Sequence, residues 1–172
     1  MLKKIVFMGT PEFSVPTLKI LANSKYNLEF IYTQPPNKSS RGQKLKTTPV
    51  HKAAEKLNLK IKTPNSLNEK NVYNHFKSIK PFIVVVVAYG QIIPKNYLNI
   101  PEKGFINIHA SLLPKWRGAA PIQRSIMNRE KETGISFMKI DWQLGFMKKL
   151  ALLLTIEILQ FSFYAQPANA AD

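Results

Sequence analysis

Apolar positions along the chain fall into short β-branched runs that alternate with segments of helical period. The stretch "LKKIVFMG" runs from basic residues through β-branched and aromatic positions to Gly9, which predicts a buried first strand. In "TPEFSVPTLKILANS", Leu18 and Leu21 recur at helical spacing, Thr10 is placed to cap, Pro11 suits the first turn and Glu12 suits the positive helix end. "LEFIYTQ" predicts a second strand and "KIKTP" a short one. "VHKAAEKLNL" and "NEKNVYNHFKSI" read as helices, the latter with Val72 and Phe76 on one face. The continuous run "PFIVVVVAYG", bounded by Pro81 and Gly90, predicts a strand buried on both faces, as in a parallel sheet covered by helices. "GFINIHA" comes next as a strand and "APIQRSIMNRE" as a helix. The alternation predicts an α/β fold: a Rossmann-like, open, mostly parallel sheet flanked by helices, with right-handed crossovers.

Between the second strand and the next helix lies "PPNKSSRGQKLKTTPV", which has no apolar period and reads as a long, mobile, basic loop carrying Lys38, Arg41, Lys44 and Lys46. Composition narrows the chemistry. A chain of 172 residues with 45% hydrophobic content suits one domain with a real core. The absence of cysteine excludes disulfides, thiolate catalysis and cysteine–zinc sites, and three scattered histidines (His51, His75, His109) leave metal-free chemistry as the expectation. A net charge of +15 points to a polyanion such as nucleic acid or to an anionic membrane surface, with lysine-rich compositional bias as the alternative.

In open α/β sheets ligands collect outside the carboxyl ends of the strands. Two predicted strand ends carry unusual chemistry, "VAYGQIIP" and "NIHASLLP". Around Gly90 the missing side chain lets a flat ligand approach the backbone. Asn107 and His109 stand two positions apart, so on a strand they share a face. An amide donor beside an imidazole suits acyl transfer, the first holding a developing oxyanion and the second moving a proton. A hydrogen-bonded structural histidine is the alternative. The loop after the first strand holds only Gly9, which is no dinucleotide fingerprint, and a serine-hydrolase elbow G-x-S-x-G is missing.

Taken together and in order, "FMGTPEFSVPTL", "TQPPNKSSRGQKLKTTPV", "VVVVAYGQIIP" and "GFINIHASLLPKWRGAAPIQ" closely resemble the amino-terminal domain of the methionyl-tRNA formyltransferase family, from the start to about Met138 or Asp141. Relatives of the same fold, such as glycinamide ribonucleotide formyltransferase, would share the N-x-H pair but lack "RGAAPIQ" and "RGQKLKTTPV" in this form. The resemblance implies the formyltransferase fold and a cytoplasmic, monomeric enzyme of translation initiation. It would transfer a formyl group from the co-substrate 10-formyltetrahydrofolate to the α-amine of methionyl-initiator tRNA, without a metal. Carried over by position, Asn107 and His109 are the catalytic pair. Ser111, Leu112, Leu113 and Pro114, with Tyr89, Gly90 and Ile92, fall on folate-binding segments. Arg41, Gly42 and Lys44 fall on the insertion that family members press against the tRNA acceptor end.

The sequence departs from that family after "TGISFMKID". The family's catalytic trio is completed there by an aspartate, and Gly145 stands in its place. Asp141 is four positions early, a displacement of more than about 10 Å along an extended chain. The segment from Met147 onward, "MKKLALLLTIEILQFSFYAQPANAAD", has the basic, apolar and A-x-A parts of a secretory signal peptide. A helix over Leu150 to Phe163 closing the domain is the competing expectation. The expected organisation is thus an incomplete catalytic domain over 1–141, with no membrane partner, and a divergent tail over 142–172, the family's carboxyl-terminal tRNA-binding domain being absent. Activity is expected to be impaired. The alternatives are a formyltransferase acting on a small amine, such as a sugar nucleotide or glycinamide ribonucleotide, and an inactive folate- or RNA-binding remnant.

Overall fold

In the computed structural model, which describes residues 2–39, 44–140 and 160–162, the apolar run Ile5–Met8 becomes the middle of strand β1 (Lys4–Gly9), with both faces buried. The chain divides into two units, Met1–Asn107 with Lys139–Leu152, and Ile108–Met138 with Leu153–Asp172.

The first unit continues through α1 (Val15–Ala22), β2 (Asn27–Tyr32), β3 (Asn37–Ser39), β4 (Lys44–Lys46), α2 (Pro49–Lys56), β5 (Ile61–Lys62), α3 (Lys70–Ile79), β6 (Ile83–Val87) and α4 (Lys95–Leu98). It ends within β7 (Phe105–His109), the boundary falling after Asn107. The strands stand in the order β5-β2-β1-β6-β7, and every pairing among them is parallel. The chain therefore builds outward from β1 to β5, then returns to the other side of β1 as β6, which makes the gap between β1 and β6 a topological switch point. On one face Val6, Met8, Val84 and Val86 join Phe76 and Ile79 of α3, Tyr97 and Phe105 in a buried cluster. Ile5 and Phe7 point the other way and are also buried, as are Val15 and Leu18 of α1 and Val50 and Ala54 of α2. Helix α2 starts where its sequence allows: Pro49 occupies the first turn, and the Thr48 hydroxyl accepts from the His51 amide at 3.0 Å.

The second unit holds the end of β7, a loop, α5 (Pro121–Met127), most of β8 (Gly134–Ile140) and β9 (Gln160–Ser162), which pairs antiparallel with β8.

The predicted α/β alternation is thus present, with four corrections. Residues 37–39 and 44–46 are not loop, because β3 and β4 pair antiparallel, Asn37 with Lys46 and Ser39 with Lys44. Three-residue strands are too short for an alternating apolar pattern to show. Thr10 does not cap α1; its hydroxyl donates to the Tyr89 carbonyl at 2.7 Å, and Glu12–Ser14 form a 3-10 turn before the helix begins. Strand β6 is only partly buried on the face of Ile83 and Val85. Finally, residues 160–162 are extended, against a helix running to Phe163; the rest of that tail, with Asp141 and Gly145, lies outside the described residues.

Candidate active site

In the first unit the β1–β6 switch point is closed by side chains. The Tyr89 carbonyl accepts from Thr10 Oγ1 at 2.7 Å and from Gln34 Nε2 at 3.3 Å, tying the segments after β1, β2 and β6 together. Ser14 Oγ, fully buried, donates to the Val87 carbonyl at 2.7 Å. The backbone after β6 then turns sharply, with Ala88 at φ +47° and Gly90 at φ +86°. A Cβ on Gly90 would sit 2.5 Å from Gln34 Nε2, so the space beside this glycine is filled by the Gln34 amide. Tyr89 is buried and its hydroxyl has no hydrogen-bond partner among the described residues; burial, with Tyr97 nearby, holds its pKa well above the usual tyrosine value. Ile92, by contrast, is 91% exposed, an unusual position for a large aliphatic side chain. Asn107, the last residue of the unit, is half-buried, and its side-chain amide makes no hydrogen bond among the described residues.

In the second unit, His109 Nε2 lies 2.9 Å from the Trp116 carbonyl. A carbonyl only accepts, so Nε2 carries the proton, and in the neutral ring Nδ1 is left with its lone pair. The loop that presents this carbonyl is held in uncommon backbone conformations: Trp116 at φ +54°, Gly118 at +93° and Ala120 at +60°. For a bulky tryptophan that region costs about 1–3 kcal/mol, so neighbouring contacts must over-determine it. Several do. Ser111, fully buried, donates to the Lys115 carbonyl at 2.7 Å. Ser136 of β8, also fully buried, donates to the Ser111 carbonyl at 2.8 Å and accepts from the Leu113 amide at 3.1 Å. The Lys115 ammonium reaches Glu130 Oε1 at 3.1 Å, and Ser125 Oγ donates to Oε2 at 3.2 Å. Among the described residues the buried Trp116 indole N–H makes no hydrogen bond of full geometry, but the Glu130 carboxyl is the acceptor it lies toward. The Trp116 and Lys115 donors hold that carboxyl below the usual carboxylate range.

Leu112 to Trp116, with Glu130, Glu132 and Thr133, line a cavity of about 270 Å³. Leu112 and Leu113 are half-buried in its wall and Pro114 is exposed. Of the residues expected on the tRNA-facing insertion, Lys44 opens β4, while Arg41 and Gly42 lie outside the described residues. Sequence reasoning missed Gln34, Trp116, Glu130 and Ser136. Trp116 stands inside "SLLPKWRGAA", but its role is played by its backbone carbonyl, which side-chain identity does not disclose. Among the described residues there is no group of three acidic, cysteine or histidine side chains placed to hold a metal, and no helix long and apolar enough to cross a membrane.

A parallel α/β sheet with polar side chains gathered at its carboxyl ends and an Asn-x-His strand terminus has known counterparts. Residues 3–145 match the model of the formyl transferase family, and the chain belongs to that family. Within it, the chain is 61% identical over 145 residues to the methionyl-tRNA formyltransferase of Pelagibacter ubique (strain HTCC1062), covering 84% of this chain and 47% of that protein. It is 50% identical over 138 residues to the methionyl-tRNA formyltransferase of Alkaliphilus oremlandii (strain OhILAs), covering 80% and 44%. The chain therefore spans about half the length of the curated relatives it matches. The crystal structure of phosphoribosylglycinamide formyltransferase from Bacillus halodurans superposes with a TM-score of 0.65 at 15% identity, over 96% of this chain and 81% of that one, a likeness of fold alone.

Proposed function

We propose that this chain carries the formyl-transfer centre of an enzyme that formylates methionyl-initiator tRNA from 10-formyltetrahydrofolate, as a cytoplasmic monomer. The 61% identity over 145 residues to a methionyl-tRNA formyltransferase supports this most directly. In this reading the amine nitrogen attacks the formyl carbon, a new C–N bond forms, and the bond to the folate nitrogen breaks. The Asn107 amide, which has no other partner among the described residues, donates to the formyl oxygen as it gains charge. His109, its Nε2–H given to the Trp116 carbonyl, takes the amine proton at Nδ1 and returns it to the leaving nitrogen. The exposed Ile92 and the backbone of Tyr89 and Gly90, with Ser111 to Pro114, meet the folate, and Arg41, Gly42 and Lys44 meet the tRNA.

The Trp116 carbonyl orients the imidazole but carries no full charge with which to balance an imidazolium. With Gly145 where the family has its aspartate, turnover is expected to lie at least about 1000-fold below an intact relative, the scale on which loss of a catalytic-unit member is felt. The test is formyl transfer by purified chain from 10-formyltetrahydrofolate to methionyl-initiator tRNA, beside the Pelagibacter ubique relative. Slow transfer that disappears in His109→Ala supports the reading. Transfer to glycinamide ribonucleotide but not to the tRNA overturns the acceptor, and near-normal turnover overturns the argument about the missing carboxylate.

A further inference from the structure

The five parallel strands of the first unit all point one way, so their amino ends lie along one edge of the sheet and their carboxyl ends along the other. The two edges carry their lysines differently: on the carboxyl side they stand in the insertion after β2 (Lys38, Lys44, Lys46) and at Lys62, the last residue of β5, and on the amino side at the strand entries. Four adjacent strands are entered through lysine: β2 through Lys25, β1 through Lys3 and Lys4, β6 through Lys80 and β7 through Lys103. The first three residues after β1, β2 and β6 include no lysine at all.

The edge is locally organised as well. Lys3 Nζ lies 4.2 Å and Lys103 Nζ 5.8 Å from the centre of the Phe82 ring, so two ammonium groups converge on one half-buried aromatic side chain. Lys25 stands over the exposed ring of Tyr26 at 5.8 Å. Backbone bonds fix the neighbours of this row: Asn27 N to Lys3 O, Phe82 N to Lys4 O and Lys103 N to Phe82 O. Lys4 reaches the Ile79 carbonyl at the end of α3 and so has a structural task, and Lys103 is paired with Glu102 on an open surface, where such a pair is weak. Lys3, Lys25 and Lys80 have no carboxylate partner among the described residues.

We propose that this amino edge is an RNA-docking surface, separate from the carboxyl edge that carries the proposed chemistry, and that it grips the phosphate backbone without reading sequence. Adjacent strands are about 4.8 Å apart, so four of them spread the lysines over about 14 Å. A nucleic-acid backbone matches such a row in charge density and binds by releasing counterions. The flanking aromatic rings suit unpaired bases. An anionic membrane is the other polyanion, but the helix that ends at this edge, α3, turns its apolar Phe76 and Ile79 into the core.

The test is fluorescence anisotropy of a labelled single-stranded RNA of mixed sequence against the full chain, across a range of salt. Lys3, Lys25 and Lys103 are replaced together by Gln, leaving Lys4 and Lys80 in place. Removing three phosphate-binding groups from a single-strand site should lower the slope of log affinity against log salt by about 2 and weaken binding at least about tenfold near 0.1 M salt. Matched thermal melting shows that the variant is folded; should it not be, Lys25→Gln alone is expected to lower the slope by about 0.7. Unchanged slope and affinity overturn the proposal, as does binding to phosphatidylserine vesicles with none to RNA. The outcome does not depend on whether the chain transfers formyl groups, since neither readout involves turnover.

Discussion

Ser136 places a single hydroxyl at the centre of the loop that presents the Trp116 carbonyl to His109, and Ser136→Ala tests how much of that loop it holds. Its Oγ is fully buried, donates to the Ser111 carbonyl at 2.8 Å and accepts from the Leu113 amide at 3.1 Å. The substitution removes both bonds and no packing volume beyond one oxygen. A neutral hydrogen bond contributes about 0.5–1.5 kcal/mol net, so the pair is worth about 1–3 kcal/mol, and burial favours the upper half because the bared carbonyl meets no water. In a chain of 172 residues each kcal/mol moves Tm by about 2–4 °C, so a fall of roughly 4–10 °C is expected. The assay is urea and thermal unfolding followed by Trp116 fluorescence in a Trp142→Phe background, which makes the only remaining indole a reporter on the loop. Ser78→Ala is the control: the Ser78 hydroxyl also donates to a carbonyl at 2.7 Å, that of His75, but on the exposed surface, and its removal should cost no more than about 0.5 kcal/mol. Equal costs for the two substitutions, or no cost at Ser136, would refute the reasoning that burial rather than the bond count sets the magnitude.

Two further outcomes rest on single residues. His75 is held below the ordinary histidine pKa, first by burial and then by Lys62. The folded state therefore binds fewer protons than the unfolded one, and the stability involved is present above the unfolded value of about 6.5 and lost as pH falls through the lower folded value; His75→Gln should flatten that part of a stability-against-pH curve, and an identical curve would reject the assignment. Gly90→Val puts a β-branched side chain at φ +86° and against Gln34, so it should lower thermal stability by about 1–3 kcal/mol and abolish any binding of a reduced folate measured by calorimetry, whereas unchanged folate affinity would remove this turn from the ligand site.

How far the sequence anticipates the molecule depends on the range over which each cause acts. The run "PFIVVVVAYG" is legible because a strand inside a parallel sheet flanked by helices is apolar at successive positions, and β6 lies where that run does, although its Ile83 and Val85 face is only partly covered. Helix α3 is legible for the same local reason, its Phe76 and Ile79 meeting the core at helical spacing. The short hairpin of β3 and β4 is not, since three residues on each side carry too little pattern to distinguish pairing from loop. Thr10 shows the limit more sharply. Its neighbours Pro11 and Glu12 make a helix cap the natural local expectation, yet the hydroxyl is taken by the Tyr89 carbonyl, 79 positions away, because the switch point brings the end of β1 beside the end of β6.

The candidate site divides along the same line. Asn107 and His109 can be picked out because amide and imidazole side chains are rare at the end of an apolar strand and chemically apt there. What holds the histidine cannot be read so directly. The family resemblance implies a carboxylate at position 145, where the sequence has glycine, so the sequence alone assigns the imidazole no support. In the fold its Nε2–H is held by a main-chain carbonyl, Trp116 O, and that carbonyl is aimed by a left-handed tryptophan that Ser111, Ser136 and Glu130 keep in place through the residues around it. Orientation and charge balance, which one aspartate would supply together, are here separated: the loop provides the first and nothing in it provides the second. A histidine held this way is fixed in tautomer, with its Nδ1 lone pair left to meet the amine proton. Residual turnover should therefore fall to background in His109→Ala while thermal melting shows the fold intact, and unchanged turnover would remove the imidazole from the chemistry.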